Sequence, residues 1–269
     1  TSLINTIKEH FRLKLIICFI LCAILPLLIL GTISYKISYN IAKDKILKET
    51  AISCEKNQHL LENRMTQIEN LEDSIHFNLC MLCTTAEQPM SNYLDKLSAV
   101  RNNIASIADS FNIYHVNIFL PDDTFASKEG LTFCSLSDLK KYKVQLSDFS
   151  KHGLTPNWIF RKDINFPYMV SKGEEPSGVL SCYRYAKINS QKTCLAVHIT
   201  SEELSNYLNT FSEGNPSLSY IINSEGVVLS STNKKQIGGS LSNEKLHAIT
   251  QNLRLSHFSY DKCEIISTP

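Results

Sequence analysis

Near its amino end the chain reads Leu15-Ile-Ile-Cys-Phe-Ile-Leu-Cys-Ala-Ile-Leu-Pro-Leu-Leu-Ile-Leu-Gly31, seventeen residues without a charge. A helix rises about 1.5 Å per residue, so this run and the next four residues span roughly 30 Å, the thickness of a bilayer's hydrocarbon core. A cleaved signal peptide is the alternative, but its apolar region is usually shorter and no small-x-small cleavage site follows the run. We therefore predict an uncleaved transmembrane helix over residues 13–35, preceded by a tail of residues 1–12.

Beyond Lys36 the apolar run becomes a stripe. Small, apolar or uncharged side chains recur at steps of three or four: Leu47, Ala51, Cys54, Gln58, Leu61, Met65, Ile68, Leu71, Ile75, Leu79 and Leu82. These steps place the side chains on one face of a helix. The sequence therefore predicts that the membrane helix continues outside the bilayer as an amphipathic helix to about Leu82.

The remaining chain alternates between helical and strand periodicities. Helices are predicted at 91–111, 135–142, 201–211 and 243–251. Ser201 is the predicted N-cap of the third of these helices. Strands are predicted at 113–120, 124–126, 168–171, 178–187, 193–200, 218–222, 227–231 and 257–260. This order gives two long helices, a larger sheet module, a connecting helix and a smaller sheet module. The predicted fold class is α+β.

Composition and motifs exclude several functions. The net charge of +1 argues against nucleic acid as a partner, because phosphate binding requires clustered Lys and Arg. The sequence holds no Gly-x-Ser-x-Gly, no His-Glu-x-x-His and no phosphate-binding Gly-rich loop. We predict no catalysis, no metal site and no cofactor within these residues.

Three residues are candidates for binding a ligand: Arg184, His198 and Trp158. If the predicted hairpin turns on Ser190, Arg184 faces Ala196 and shares a sheet face with His198. This face is the more polar one and is expected to hold a pocket. The more apolar opposite face, expected to pack on the long helices, carries Val179, Tyr183, Tyr185, Leu195, Val197 and Ile199. An ion pair for Arg184, a hydrogen-bonded core position for His198 and a core anchor for Trp158, the sole tryptophan, remain as alternatives.

Several segments together resemble a known family. Arg12-Leu-Lys-Leu-Ile-Ile, Leu25-Pro-Leu and Gly31-Thr-Ile-Ser-Tyr35 look like the amino-terminal anchor of YesM-type sensor histidine kinases. Tyr220-Ile-Ile-Asn-Ser-Glu-Gly-Val-Val-Leu-Ser-Ser231, with Gln236-Ile-Gly-Gly-Ser-Leu241, resembles the membrane-proximal half of a double Cache domain. Cys194-Leu-Ala-Val-His-Ile-Thr-Ser-Glu-Glu-Leu204 is similar to the strand and helix that join the two halves.

The resemblance implies a bacterial receptor that forms a homodimer through its long helix. Residues 1–12 would be cytoplasmic, 36–211 would form the long helices and a membrane-distal Cache module, and 212–269 would form an incomplete membrane-proximal module, both PAS-like antiparallel sheets outside the cell. The distal module would bind a small molecule. Amino-acid-binding relatives commonly have Asp where His198 stands, so its absence argues against an amino acid. A sugar, a peptide, a carboxylate and an empty pocket all stay open.

The output of such a receptor is left open by these residues. A sensor histidine kinase is the first interpretation, and the same input could serve a chemoreceptor, a cyclic-dinucleotide enzyme or a membrane-bound AraC-type regulator. An amino-terminally anchored surface enzyme or adhesion protein is an interpretation from a different class. In each case the large part of the chain is expected outside the cell membrane.

Overall fold

The computed structural model describes residues 2–83, 90–121, 132–142, 156–162, 175–188, 191–208, 218–252, 257–260 and 263–268. Helix α1 (Ser2–Cys83) contains 82 residues, and α2 (Met90–Ser110) follows it. The predicted continuation of the apolar run into one long helix is confirmed, and α1 begins well before the apolar run. The strands predicted at 124–126 and 168–171 lie outside the described residues.

Contacts divide the chain into two compact units, one of residues 1–52 with 256–267 and one of residues 53–255 with 268–269. The first unit holds the amino-terminal part of α1 and a hairpin of β8 (Phe258–Tyr260) and β9 (Cys263–Ile265). In the described part of the chain, one helical segment, Leu13–Met81, is long and apolar enough to cross a membrane. Large apolar side chains of this segment are exposed, for example Phe19 at 77%.

The second unit is built on a five-stranded sheet. Its strands are β1 (His115–Leu120), β2 (Phe133–Ser135), β3 (Asn157–Arg161), β4 (Val179–Ile188) and β5 (Gln191–Thr200), in the order β2-β1-β5-β4-β3. Neighbouring strands are antiparallel except β1 and β2, which run parallel. Strand β3 was not anticipated, because Trp158, Ile159 and Phe160 form a continuous apolar run without the alternation of a half-buried strand. The segment predicted as a helix at 135–142 is a 3-10 helix, Leu136–Tyr142.

One face of this sheet packs on the long helices. The stripe of α1 supplies Ile68, Leu71, Ile75 and Leu79, which are at most 6% exposed, and α2 supplies Ile104. Burial of each such side chain contributes about 1.5–3 kcal/mol. The predicted helix face is thus confirmed at these four positions of α1, because they share one core with strands of the sheet.

A short helix, α3 (Ser201–Ser205), connects the five-stranded sheet to the smaller one. Its N-cap is Thr200, whose hydroxyl accepts a hydrogen bond from the Glu203 N–H at 3.1 Å, so the prediction of Ser201 as the cap is wrong. The Ser201 hydroxyl instead donates to the Leu229 carbonyl at 2.7 Å, and the Ser230 hydroxyl donates to the Ser201 carbonyl at 2.8 Å. These two buried bonds fix α3 to the segment that contains Leu229 and Ser230.

The smaller sheet pairs β6 (Tyr220–Ile222) with β7 (Val228–Ser231), and α4 (Asn243–Gln251) follows. The predicted turn at 223–226 is confirmed: Gly226, at φ +77°, donates to the Asn223 carbonyl at 3.0 Å. Only glycine adopts this φ without strain, which explains its place in the turn. The predicted bounds of α4 match those of the structure, with Ser242 as N-cap.

A buried arginine joins three helices within the second unit. Arg64 of α1 donates to the Phe111 carbonyl at the end of α2, and its guanidinium lies 3.5 Å from the Glu203 carboxylate of α3. Asn112, in the left-handed region at φ +49°, ends α2 and donates to the same carboxylate. Asn tolerates this conformation better than most residues. Arg64 therefore positions the carboxyl end of α2 on α1.

Candidate functional site

The register of the β4–β5 hairpin decides which side chains share a face. Arg184 pairs with Leu195 and Cys182 pairs with Val197, one residue away from the predicted pairing. A shift of one residue moves every side chain of one strand to the other side relative to its partner. The prediction that Arg184 and His198 share a face is therefore wrong.

The helix-side face of the sheet, which packs on α1 and α2, takes alternate residues of each strand. It carries Val116, Ile118, Trp158, Phe160, Leu180, Cys182, Arg184, Leu195, Val197 and Ile199. The opposite face, called the far face below, carries His115, Asn117, Phe119, Ile159, Arg161, Ser181, Tyr183, Cys194, Ala196 and His198. Leu195, Val197 and Ile199 were correctly placed against the helices, whereas Val179, Tyr183 and Tyr185 were not, because they lie on the far face.

His198 is at the centre of a polar cluster on the far face. Its Nδ1 lies 2.7 Å from the Ser181 hydroxyl and its Nε2 lies 2.9 Å from Asn117 Oδ1. Because an amide oxygen only accepts, Nε2 carries the proton and Nδ1 accepts from Ser181. Asn117 in turn donates to Cys134 Sγ at 3.6 Å, which orients its amide. The imidazole is 0% exposed, so the chain itself satisfies both ring nitrogens.

The electrostatics of the far face favour a neutral imidazole beside a cation. Burial lowers the pKa of His198 well below 6.5, and the charges of His115 and Arg161 lower it further. Burial raises the pKa of Tyr183 to about 12, against the effect of Arg161. Among the described residues Arg161 forms no ion pair with a carboxylate. A guanidinium next to a neutral, hydrogen-bonded surface is suited to binding an anion.

The helix-side face holds a different cluster, in which acids of α1 meet strand residues. Arg184 binds the Asp73 carboxylate, and its Nε lies 3.4 Å from Glu72 Oε2. The Cys182 thiol donates to the same Glu72 oxygen at 3.5 Å. The Trp158 indole N–H donates to Glu69 Oε1 at 3.0 Å.

The structure therefore brings two of the three predicted site residues together and separates the third. Trp158 and Arg184 both face α1 and both bind its carboxylates, while His198 lies across the sheet. Sequence reasoning missed Asn117, Ser181 and Arg161 as companions of His198. A register that pairs Ile188 with Gln191 would have placed Ser181 opposite His198. Asn117 and Arg161 belong to β1 and β3, whose pairing with β5 and β4 no local signal in the sequence indicates. Within the described residues no group of three or more His, Cys, Asp or Glu could hold a metal ion.

The sequence matches no protein-family model and no curated protein sequence. The fold is similar to the sensory domain of the Campylobacter jejuni chemoreceptor Tlp3 (CcmL) with isoleucine bound, at TM-score 0.53 and 14% identity over 82% of this chain and 86% of that one. It is also similar to the periplasmic sensory domain of the C. jejuni chemoreceptor Tlp1, at 0.52 and 14% over 77% and 84%.

A third similar structure is the extracellular domain of vpHK1S-Z8, named as a candidate histidine kinase, at TM-score 0.54 and 14% identity over 81% of this chain and 83% of that one. All three are sensory or extracellular domains. The chain has a long amino-terminal helix followed by a mixed α+β domain, and it shares this fold with these sensory and extracellular domains.

Proposed function

We propose that this chain is the ligand-sensing portion of a bacterial membrane receptor. Residues 1–12 would form the cytoplasmic tail and 13–35 the span, with a distal module over 36–211 and a proximal module over 212–269 outside the membrane. One observation carries this proposal: the apolar segment and the stripe that packs on the sheet belong to one continuous helix, α1. The similar folds are sensory or extracellular domains, and this supports the five-stranded sheet as the part that receives the signal.

We infer a YesM-type sensor histidine kinase as the first output, from the anchor resemblance at Arg12 to Tyr35. Chemoreceptors are the second candidate, because two of the three similar folds belong to them. We assign no catalytic step to residues 1–269 in either case. The codons after Pro269 test the choice: a second span followed by a phosphorylatable His region supports the kinase, and a methyl-accepting coiled coil supports the chemoreceptor.

The far face is the side of the sheet that we propose for the ligand. Its opposite face is covered by α1 and α2, and Arg184 and Trp158 are already bound to carboxylates there. The far face offers the polar cluster around His198 and the cation of Arg161. In this proposal His198 is part of the floor of the site, Arg161 contacts the ligand, and the ligand carries a carboxylate or another anionic group.

Thermal unfolding of the full chain in detergent, followed by Trp158 fluorescence, tests this assignment. We expect a carboxylate-bearing compound, from a screen of amino acids, organic acids, sugars and short peptides, to raise the melting temperature. At a hundredfold excess over Kd, such a ligand stabilises by about 2.7 kcal/mol. The variant Arg161→Gln should lose most of this shift, because it removes the guanidinium that binds the anion.

Arg184→Gln is the matched control for that experiment, since it removes the same charge from the helix-side face. It should lower the melting temperature without ligand but leave the ligand-induced shift intact. A shift that survives Arg161→Gln and disappears in Arg184→Gln would place the ligand on the helix side, with Trp158 and Arg184 as its contacts.

We also propose a homodimer formed through α1, using the face of the helix that points away from the sheet. Ile68, on the face of α1 that meets the sheet, is 1% exposed because it packs on its own sheet, and it cannot contact a second copy. Phe77 and Met81, four residues apart, are 65% and 58% exposed. Residues four apart lie on the same side of a helix, so these two can meet a second copy.

A photo-crosslinking amino acid at Phe77 or Met81 is expected to give a covalent dimer in membranes. The same probe at Ile68 should give at least tenfold less dimer, because that position is inside the core of one chain. Equal yields at all three positions, or none at any, would contradict a dimer through this face of α1.

A further inference from the structure

A buried carboxyl lies on α1 where the helix meets the sheet. Glu72 is 0% exposed, and it projects toward β4 from the edge of the apolar stripe. One of its oxygens, Oε2, accepts from the Cys182 thiol, while the other, Oε1, has no hydrogen-bond partner. An isolated carboxylate in such a place is costly, because its unpaired oxygen has lost its water.

The nearest cation compensates for only part of this burial. Arg184 Nε lies 3.4 Å from Glu72 Oε2 but makes no hydrogen bond, and the guanidinium is bound through Nη1 to Asp73. The side chain of Asp73 is 63% exposed, whereas that of Arg184 is 15% exposed. Arg184 is thus shared between a buried and a solvated acid, and it is engaged by the solvated one.

Other charged and polar groups around Glu72 also affect its ionisation. Glu69 and Asp73 of α1 place further negative charge beside it, Arg184 of β4 provides the opposing charge, and the thiol of Cys182 donates to it. Trp158 of β3 and the side chains of β5 that face α1 carry no charge. Burial is the largest effect, and it raises the pKa of Glu72 to about 8, with Glu69 and Asp73 acting in the same direction and Arg184 and Cys182 against it.

We propose that Glu72 is a proton-operated latch between α1 and the sheet. Neutral Glu72 fits the dry interface and leaves Arg184 bound to Asp73. Ionised Glu72 competes with Asp73 for Arg184 and favours entry of water, which loosens the contact between helix and sheet. The strength of the contact between α1 and the five-stranded sheet therefore depends on the pH of the surroundings. This inference rests on the geometry of the cluster and does not depend on which ligand the far face binds.

The sign of the effect follows from linkage. A carboxyl whose pKa is higher in the folded than in the unfolded chain stabilises the fold fully below its ordinary pKa, near 4.5. That contribution is lost as the pH rises toward and through about 8. The latch is therefore closed in acidic and neutral surroundings and opens in alkaline ones.

Trp158 is a reporter for this transition, because it is the sole tryptophan and is hydrogen-bonded to Glu69, less than one turn from Glu72. In the full chain in detergent, its emission is expected to change in one step with a midpoint near pH 8. Glu72→Gln should hold the emission at its low-pH value throughout. Glu55→Gln, which removes an exposed carboxylate from the same helix, should titrate like the wild type.

Asp73→Asn provides a directional test with an exposed side chain. It removes a negative neighbour of Glu72 and frees Arg184, so the midpoint should move to lower pH. Carbon-13 NMR of glutamate carboxyls in the wild-type chain gives the same midpoint even if Glu72→Gln does not fold. A wild-type step that persists in Glu72→Gln, or a full complement of glutamates titrating below pH 6, would overturn the proposal.

Discussion

Replacing Arg64 with alanine is expected to destabilise the second unit by about 3–5 kcal/mol, the usual cost of leaving one partner of a buried ion pair alone. The variant leaves the carbonyl of Phe111 and the carboxylate of Glu203 without their guanidinium, and the Glu203 side chain is only 14% exposed. It also leaves the end of α2 without its contact to α1. Urea unfolding of the full chain in detergent, followed by Trp158 fluorescence, measures this loss.

Two variants make the Arg64 prediction specific. Lys56→Ala removes an exposed cation from the same helix and should change the free energy of unfolding by less than about 0.5 kcal/mol. The double variant Arg64→Met with Glu203→Leu removes both charges and should be more stable than Arg64→Ala, because no buried charge is left alone. If Arg64→Ala is as stable as Lys56→Ala, the contacts of Arg64 with the three helices do not contribute to the free energy of unfolding.

Replacing His198 with leucine is the second large effect, and we expect a loss of about 3 kcal/mol or more. Leucine cannot accept from the Ser181 hydroxyl or donate to Asn117 Oδ1, and each buried polar group left unpaired costs about 1–3 kcal/mol. His198→Gln is the milder counterpart, since its amide can donate to Asn117 and accept from Ser181. It should be closer to the wild type in unfolding experiments at pH 8.

The pH dependence separates the role of His198 from simple packing. Its pKa is lower in the folded chain than the ordinary 6.5, so the unfolded chain binds a proton first. The stabilisation is present above about pH 6.5 and is lost as the pH falls below it, with a slope of up to about 1.4 kcal/mol per pH unit. His198→Gln should lack this slope. An equal slope in both proteins would show that other groups cause the acid sensitivity.

The long helix and most of the later elements could be predicted because their signals are local. The stripe at Ile68, Leu71, Ile75 and Leu79 repeats at steps of three or four, and this spacing indicates a helix with one apolar face. The cap of α3 was misplaced by one residue, since Thr200 and Ser201 are both good N-caps. Only the tertiary contact of Ser201 with Leu229 separates the two.

The candidate site was harder to predict, because it depends on register and on contacts between distant residues. A hairpin centred on Ser190 and one centred between Asn189 and Ser190 differ by half a residue. This difference changes the partner of Arg184 from Ala196 to Leu195, and that of His198 from Cys182 to Ser181. Glu72 follows Leu71 in an amphipathic helix, where a charged residue is ordinarily solvated. Its burial is caused by Cys182 and Arg184, more than a hundred residues later in the chain.

Strand β4 also restricts how this domain can change in evolution. Tyr183 and Arg184 are neighbours in sequence, yet one faces the polar cluster and the other faces the acids of α1. Inserting or deleting one residue in this strand would exchange the two environments, with a charge entering the neutral side and a phenol facing Glu72. Length changes should therefore be confined to loops or occur in steps of two, while substitutions on either side of the sheet can accumulate independently. Under the function proposed above, a lineage could thus change the side chains of the far face and keep the contact between α1 and the sheet unchanged.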